Sequence, residues 1–152
     1  MNTIEYPGGY LITTDRSLMS ITDIHEWLAN KSHWAKGIPL ELLQRAFDNS
    51  FVAAAIKDGQ TIGFARLVTD YAIFAYLADV FVVEEHRGLG ISKAVTGILM
   101  DQPWVADIRR LMLSTKDAHS LYARFGFKQL QYPDRIMEIL RHHSYIDPHF
   151  KP

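Results

Sequence analysis

A turn with two glycines and an arginine stands where the chain should pass from a buried strand into a helix. Residues 85–92 read EHRGLGIS and follow the apolar run YLADVFVV. The first turn of a helix exposes unpaired backbone N–H groups and roughly half a positive charge, so a turn without side chains can bring a phosphate against those amides. Gly88 and Gly90 would permit that approach, while Arg87 and Ser92 would add a cation and a hydroxyl donor. The stretch predicts a phosphate-binding turn, and a purely structural turn is the alternative.

Two widespread phosphate-binding loops do not fit this stretch. A P-loop needs four residues between its glycines and then Lys-Ser/Thr, whereas one residue separates Gly88 from Gly90, and Lys93 precedes Ala94. The dinucleotide fingerprint G-x-G-x-x-G would need a glycine where Lys93 stands. The turn therefore belongs to neither of these classes.

The elements that must position the turn follow from the spacing of apolar residues and from turn signals such as Asp58-Gly59. Helices are predicted at residues 21–30, 39–47, 91–98 and 118–125. The last of them would have Asp117 as its N-cap and end at Gly126. Strands are predicted in a hairpin over residues 51–68 and at residues 74–83 and 111–114. Residues 127–140 suggest one or two final strands, before a polar surface tail at 141–152. Helices would open the fold, and the order of elements predicts an α+β or mixed α/β sheet.

The composition indicates which classes of protein this chain can belong to. The chain has 152 residues, 48% of them hydrophobic and 22% charged, which predicts one folded domain spanning 1–152. Sixteen Lys and Arg against 17 Asp and Glu give no general attraction to nucleic acid or anionic membrane. Absence of cysteine excludes disulfides and a thioester intermediate on the protein. Without a leader-like or membrane-spanning segment, a cytoplasmic protein is expected.

Two motifs resemble those of the GNAT acyl-CoA N-acetyltransferase superfamily. The first is its coenzyme A pyrophosphate loop, Q/R-x-x-G-x-G/A, matched by Arg87, Gly90 and Ser92, with serine in place of the last glycine or alanine. The second, A-x-x-L-Y-x-x-x-G-F, is matched by the stretch AHSLYARFGF that begins at Ala118. The resemblance implies a single GNAT-like domain, with a central twisted, mostly antiparallel sheet of about six or seven strands, flanked by helices and containing a splayed central strand pair.

The resemblance also implies a cosubstrate and a reaction. Acetyl-CoA would donate its acetyl group directly to a primary amine in a ternary complex. The residues expected to bind acetyl-CoA are Phe81, Val82, Arg87, Gly88, Leu89, Gly90, Ile91, Ser92 and Thr115. Thr115 stands where the family usually has the asparagine that contacts the pantetheine arm, which is a departure from the motif. A non-catalytic acyl-CoA-binding or sensor module, or an acyltransferase with a different donor, is the alternative.

Two residues are candidates for catalysis. In the family a tyrosine at the position of Tyr122 points at the thioester sulfur, so Tyr122 is the candidate acid that protonates the leaving thiolate, against a plain core aromatic as the alternative. Asp79 interrupts the apolar run FAYLADVFVV, where a carboxylate is costly unless it is hydrogen-bonded or functional. We expect a general base or an anchor for the substrate amine there. A structural hydrogen-bond partner or a β-bulge residue is the alternative.

The sequence contains fewer signals for the binding site of the acceptor amine. The resemblance suggests an aromatic-rich acceptor pocket, formed by His33, Trp34, Tyr71, Phe74 and Tyr76, or else these residues are ordinary core and surface. The spacing of the seven histidines resembles no zinc site, so no metal is expected. The expected partner is a small-molecule or protein amine, without nucleic acid or membrane, and a homodimer is left open.

Overall fold

Six strands form one mixed sheet whose spatial order follows the chain. The computed structural model describes residues 1–151, and each strand pairs with the next, antiparallel except for the parallel last pair. The strands are β1 (Thr3–Tyr6), β2 (Tyr10–Thr13), β3 (Phe51–Lys57), β4 (Gln60–Thr69), β5 (Phe74–Val82) and β6 (Arg110–Leu113). The helices are α1 (Ile21–Lys31), α2 (Leu40–Asp48), α3 (Ile91–Met100) and α4 (His119–Ala123). This α+β fold with a mostly antiparallel sheet confirms the predicted class.

The two faces of the sheet are covered by different helices, because the central strands are apolar on both sides. In β3, Ala53 and Ala55 pack in a core cluster with residues of α3, while Val52 and Ala54 pack in a second cluster with residues of α1 and α2. Successive strand side chains point to opposite faces, so an uninterrupted apolar strand requires cover on both sides. The predicted hairpin is confirmed at Asp58-Gly59, where both residues have positive φ, as a tight two-residue turn requires.

Three sequence-based expectations are wrong. Strands β1 and β2 open the fold rather than helices; they are short, and the Gly8-Gly9 turn that joins them has positive φ at both positions. Residues 127–140 contain no strand, only a short 3-10 turn at Pro133–Arg135. Asp117 does not cap α4, whose N-cap is Ala118; the Ala118 N–H instead donates to Thr115 Oγ1 at 3.0 Å.

β5 is irregular where it passes the middle of the sheet. Its register with β4 jumps between Phe64 and Arg66, and Asp79 lies in this bulge with φ of 56°. On its other side, β5 pairs with β6 only as far as Leu77 and Leu113. β6 ends at Leu113 whereas β5 continues to Val82, and residues 77–80 and 113–118 line a common cleft.

No helix among residues 1–151 is long and apolar enough to cross a membrane.

Candidate active site

Two adjoining clefts open where β5 continues past the end of β6. Their volumes are about 960 and about 660 Å³, within the usual range for small-molecule sites. The lining residues that they share are His33, Trp34, Val80, Asp117, Ala118 and Tyr122. The clefts therefore form one continuous passage, with Tyr122 where they meet.

The glycine turn lines the smaller cleft. Gly88 and Gly90 have φ of 80° and 77°, which side chains disfavour, and Gly90 is the N-cap of α3 without any side-chain cap. The backbone N–H groups of Ile91, Ser92 and Lys93 find no acceptor among the described residues, whereas Ser20 caps α1 through its side chain. This end of α3 retains the free donors that bind anions.

Arg87 lies at the mouth of the same cleft. Its Nε donates to the Val82 carbonyl at 2.9 Å, while its Nη2 lies 3.6 Å from Glu84 Oε1 in a half-exposed pair. Such a surface pair contributes little free energy, so the guanidinium can turn to an anion at low cost. Four basic residues line this cleft against two acidic ones; the basic four are Lys31, Arg87, Lys93 and Arg124.

Most, though not all, of the residues expected to bind acetyl-CoA line this passage. Phe81, Val82, Arg87, Gly88, Gly90, Ile91 and Ser92 line the smaller cleft, and Thr115 lines the larger one. Leu89 does not line either cleft: its side chain is exposed, and its carbonyl accepts the Tyr6 hydroxyl at 2.6 Å. The Phe81 ring is buried against Trp27, with ring centroids 4.4 Å apart. Phe81 can therefore offer the cleft mainly its backbone.

Tyr122 is buried in α4, and no described residue forms a hydrogen bond with its hydroxyl. Burial, and then the negative charge of Asp117, raise the pKa of Tyr122 above its ordinary value of 10.0. Both effects disfavour the phenolate. Tyr122 therefore keeps its proton at neutral pH and can donate it to a group at the junction of the clefts.

Asp79 lies in the larger cleft with both carboxylate oxygens engaged. Oδ2 accepts from Arg66 Nε at 2.6 Å, and Oδ1 accepts from Trp34 Nε1 at 2.8 Å. The ion pair is mostly buried, with 17% and 11% of the two side chains exposed. Asp79 is thus both a hydrogen-bond partner and a bulge residue, which are the structural alternatives to a catalytic role.

The aromatic residues expected around the acceptor divide into two groups. Trp34 and Tyr76 line the larger cleft, as does His33. Tyr71 and Phe74 line neither cleft, so the structure does not bring them together with Trp34 and Tyr76. Tyr71 packs instead against Trp104, with ring centroids 4.8 Å apart, and the Phe74 carbonyl accepts from Thr69 Oγ1.

Sequence reasoning missed two residues of the passage. Tyr145, from the tail, lines the larger cleft; its N–H donates to the Lys36 carbonyl at 3.0 Å, and burial and the nearby Asp79 raise its pKa above 10.0. Asp117 faces both clefts rather than capping α4. The motif pattern gives no signal for Tyr145, because a polar tail with prolines resembles a solvated excursion.

Comparison with known proteins agrees with this geometry. The model of the acetyltransferase (GNAT) family matches residues 21–127. A crystal structure of a Xanthomonas campestris pv. campestris protein assigned to the GNAT family superposes with a TM-score of 0.83 at 47% identity, covering 86% of this chain and 92% of that one. The relative "Putative acetyltransferase FG08082" of Gibberella zeae is 29% identical over 138 residues, 77% of each chain.

A third comparison concerns the fold alone. An acetyltransferase structure from Clostridium acetobutylicum, described as containing acetyl-CoA, is 18% identical with a TM-score of 0.60, and covers 86% of this chain and 94% of that one.

A mostly antiparallel sheet, with a cleft at the end of its parallel strand pair and an uncapped helix after a two-glycine turn, defines this protein as a GNAT-fold domain. The chain belongs to the GNAT acetyltransferase family, since the family model and both motifs cover the same central part of it.

Proposed function

We propose that this protein transfers an acetyl group from acetyl-CoA directly to a primary amine. The observation that carries the proposal is the meeting of the two clefts at Tyr122, whose hydroxyl has no described hydrogen-bond partner. A donor bound along one cleft and an acceptor bound in the other would react at that hydroxyl. The chain has no cysteine to carry the acetyl group between them, which favours direct transfer.

The residues of the smaller cleft fit the charge of coenzyme A. The free amides of Ile91, Ser92 and Lys93 and the side chain of Arg87 would hold its phosphates, and Gly88 and Gly90 leave room for the approach. Thr115 Oγ1 accepts one hydrogen bond from the Ala118 N–H, so its own hydroxyl proton remains available for the pantetheine arm. When bound, acetyl-CoA supplies an activated acetyl thioester.

The reaction needs two proton transfers, one to the leaving thiolate and one from the attacking amine, and a residue of the junction would supply the first. Tyr122 would give its proton to the leaving thiolate, a role that its raised pKa supports. An amine with a pKa of about 10.4 costs about 4.6 kcal/mol to neutralise at pH 7. Asp79 would attract and orient the ammonium form, which would release its proton to solvent water before the neutral nitrogen attacks the thioester. The engagement of Asp79 by Arg66 and Trp34 favours such an anchor over a free general base.

Binding of acetyl-CoA is tested at Gly88. Its Cβ would meet nothing within 4 Å, whereas a Cβ at Gly90 would lie 2.8 Å from Tyr6 Oη, so a substitution at Gly88 disturbs the fold less. Asp and Asn both tolerate positive φ and have nearly the same shape. We expect Gly88→Asp to weaken acetyl-CoA binding at least about tenfold in calorimetry, since it places a negative charge beside phosphates. The matched control, Gly88→Asn, should bind nearly as well as wild type.

Catalysis is tested separately by CoA release with a panel of primary amines. Release that depends on an amine supports the transferase. Tight acetyl-CoA binding without release for any amine class would favour a binding or sensor module. A folded wild type that binds no acetyl-CoA, or equal binding by the Asp and Asn variants, would contradict the proposed phosphate-binding site at the glycine turn.

A further inference from the structure

The tip of the β1–β2 hairpin lies against the glycine turn. Tyr6 and Tyr10 are direct partners across the two strands, so their side chains share one face of the sheet. Both rings pack in the core cluster that contains residues of α3, Tyr10 as a buried member and Tyr6 as a half-buried neighbour. The hairpin thus brings two phenol hydroxyls to a segment that lies 76 and 83 residues further along the chain.

Each hydroxyl contacts a different part of the turn. The Tyr6 hydroxyl donates to the Leu89 carbonyl at 2.6 Å, and the Tyr10 hydroxyl lies within hydrogen-bond distance, 2.8 Å, of His86 Nδ1. The rings of Tyr10 and His86 also meet edge to face, with centroids 5.6 Å apart. The Tyr6 hydroxyl lies close to the backbone as well, since a Cβ on Gly90 would be 2.8 Å from it. The hairpin therefore holds the turn both before its glycines and between them.

The hydrogen bond to Leu89 determines the direction of the next N–H group. A trans peptide is planar, so the Leu89 carbonyl and the Gly90 N–H point in opposite directions. Tyr6 and Leu89 line neither cleft, whereas Gly90 lines the smaller one, and the Gly90 N–H donates to no backbone carbonyl among the described residues. The carbonyl is thus held on the side of Tyr6, and the N–H is directed toward the smaller cleft.

The glycines do not hold this peptide in place by themselves. Gly90 has φ of 77°, and glycine adopts positive and negative φ about equally, so the Leu89–Gly90 peptide can rotate about its flanking bonds. A reversed peptide would present the negative end of a carbonyl dipole to the cleft instead of an N–H donor, and it would repel a phosphate. The backbone freedom that lets a phosphate approach therefore needs a restraint, which the Tyr6 hydroxyl supplies.

We propose that Tyr6 and Tyr10 are positioning residues for the phosphate-binding turn: Tyr6 keeps the Gly90 N–H directed into the smaller cleft, and Tyr10 holds His86 where the turn begins. This inference rests on the proposed binding of acetyl-CoA. Neither tyrosine lines a cleft, so both act through the turn and not on the cosubstrate. Both precede residues 21–127, the part of the chain that the family model matches.

The first test examines the turn in the free protein. Tyr6→Phe keeps the ring in the core and removes only the hydroxyl. We expect NMR relaxation dispersion to show exchange at the Gly90 amide in this variant and not in wild type, because the peptide becomes free to rotate. The control Tyr132→Phe removes an exposed hydroxyl outside both clefts and should show no exchange at Gly90. Absence of exchange in Tyr6→Phe would overturn the proposed restraint.

The second test measures the binding of CoA by calorimetry. Tyr6→Phe should raise the Kd of CoA about fivefold, the equivalent of about 1 kcal/mol for one hydrogen bond. Tyr6→Phe/Tyr10→Phe should raise it further, and Tyr132→Phe should leave it unchanged. A wild type that binds no CoA would contradict the proposed function together with this inference. Unchanged binding by Tyr6→Phe beside a wild type that binds CoA would overturn this inference alone.

A donor without phosphates separates positioning of the turn from general damage to the fold. S-acetylpantetheine carries the same acetyl thioester as acetyl-CoA but lacks its phosphates. With any amine that supports thiol release, Tyr6→Phe should lower kcat/KM for acetyl-CoA about fivefold and leave kcat/KM for S-acetylpantetheine unchanged. An equal fall for both donors would show a merely structural role and would overturn the proposal.

Discussion

Asp79 allows the proposed architecture of the acceptor cleft to be tested without knowing the acceptor. The structure gives this residue three roles: an ion pair with Arg66, a hydrogen bond from Trp34 and a bulge position with φ of 56°. Substitution by Asn, Gly and Ala removes these roles in different combinations. Asn keeps the tolerance of positive φ and the acceptor for Trp34, Gly keeps only the backbone freedom, and Ala keeps none of them.

The expected magnitudes follow from the contacts. A hydrogen bond to a charged group contributes about 1.5–3 kcal/mol, and Arg66 retains a second bond to Ser50 Oγ, so Asp79→Asn should cost about 2 kcal/mol. Loss of the Trp34 bond adds about 1 kcal/mol for Asp79→Gly. Asp79→Ala should cost about 1 kcal/mol more than Gly, because Ala is strained at positive φ.

The assay is urea denaturation of all three variants, with a double-mutant cycle on Arg66→Met and Asp79→Asn. The order of stability should be wild type, Asn, Gly and then Ala, and the cycle should show a coupling above about 0.5 kcal/mol between residues in contact. An Asn variant as stable as wild type, with no coupling, would refute the ion pair. Equal stabilities of Gly and Ala would refute the bulge argument.

Two further predictions concern Tyr122. Tyr122→Phe should lower kcat by about 10²–10⁴-fold with little change in the KM for acetyl-CoA. It should cost little stability, because the hydroxyl has no described hydrogen-bond partner. Unchanged turnover would exclude the acid role. Asp117→Asn should move the alkaline limb of the kcat–pH profile to lower pH, because the charge of Asp117 raises the pKa of Tyr122. An unmoved limb would mean that a group other than Tyr122 titrates in that pH range.

The parts of the site that the sequence could predict are those built by neighbouring residues. The glycine turn, the start of α3 and the position of Tyr122 in α4 depend on local spacing, and each was predictable to within a residue or two. The partners of Asp79 were not predictable in this way. Arg66 lies 13 residues before it and Trp34 lies 45 before it, and only the pairing of β4 with β5 and the docking of the loop after α1 bring them together.

The strand expected in residues 127–140 shows a different limit of prediction from the sequence. Its apolar composition is typical of a strand, but a strand exists only where another backbone accepts its hydrogen bonds, and within one chain none does. The local pattern and the isolated fold disagree here.

The proposed donor and acceptor sides of the passage come from different parts of the chain, and this explains why motifs in the sequence indicated only the donor side. The family model covers residues 21–127, including the whole glycine turn and Tyr122. Tyr145, which lies outside that match, nevertheless lines the larger cleft and is held by a hydrogen bond to Lys36. Because Tyr145 of the tail lines the proposed acceptor cleft while the glycine turn lines the proposed cosubstrate cleft, we expect changes in the tail to alter acceptor preference and leave acetyl-CoA binding intact.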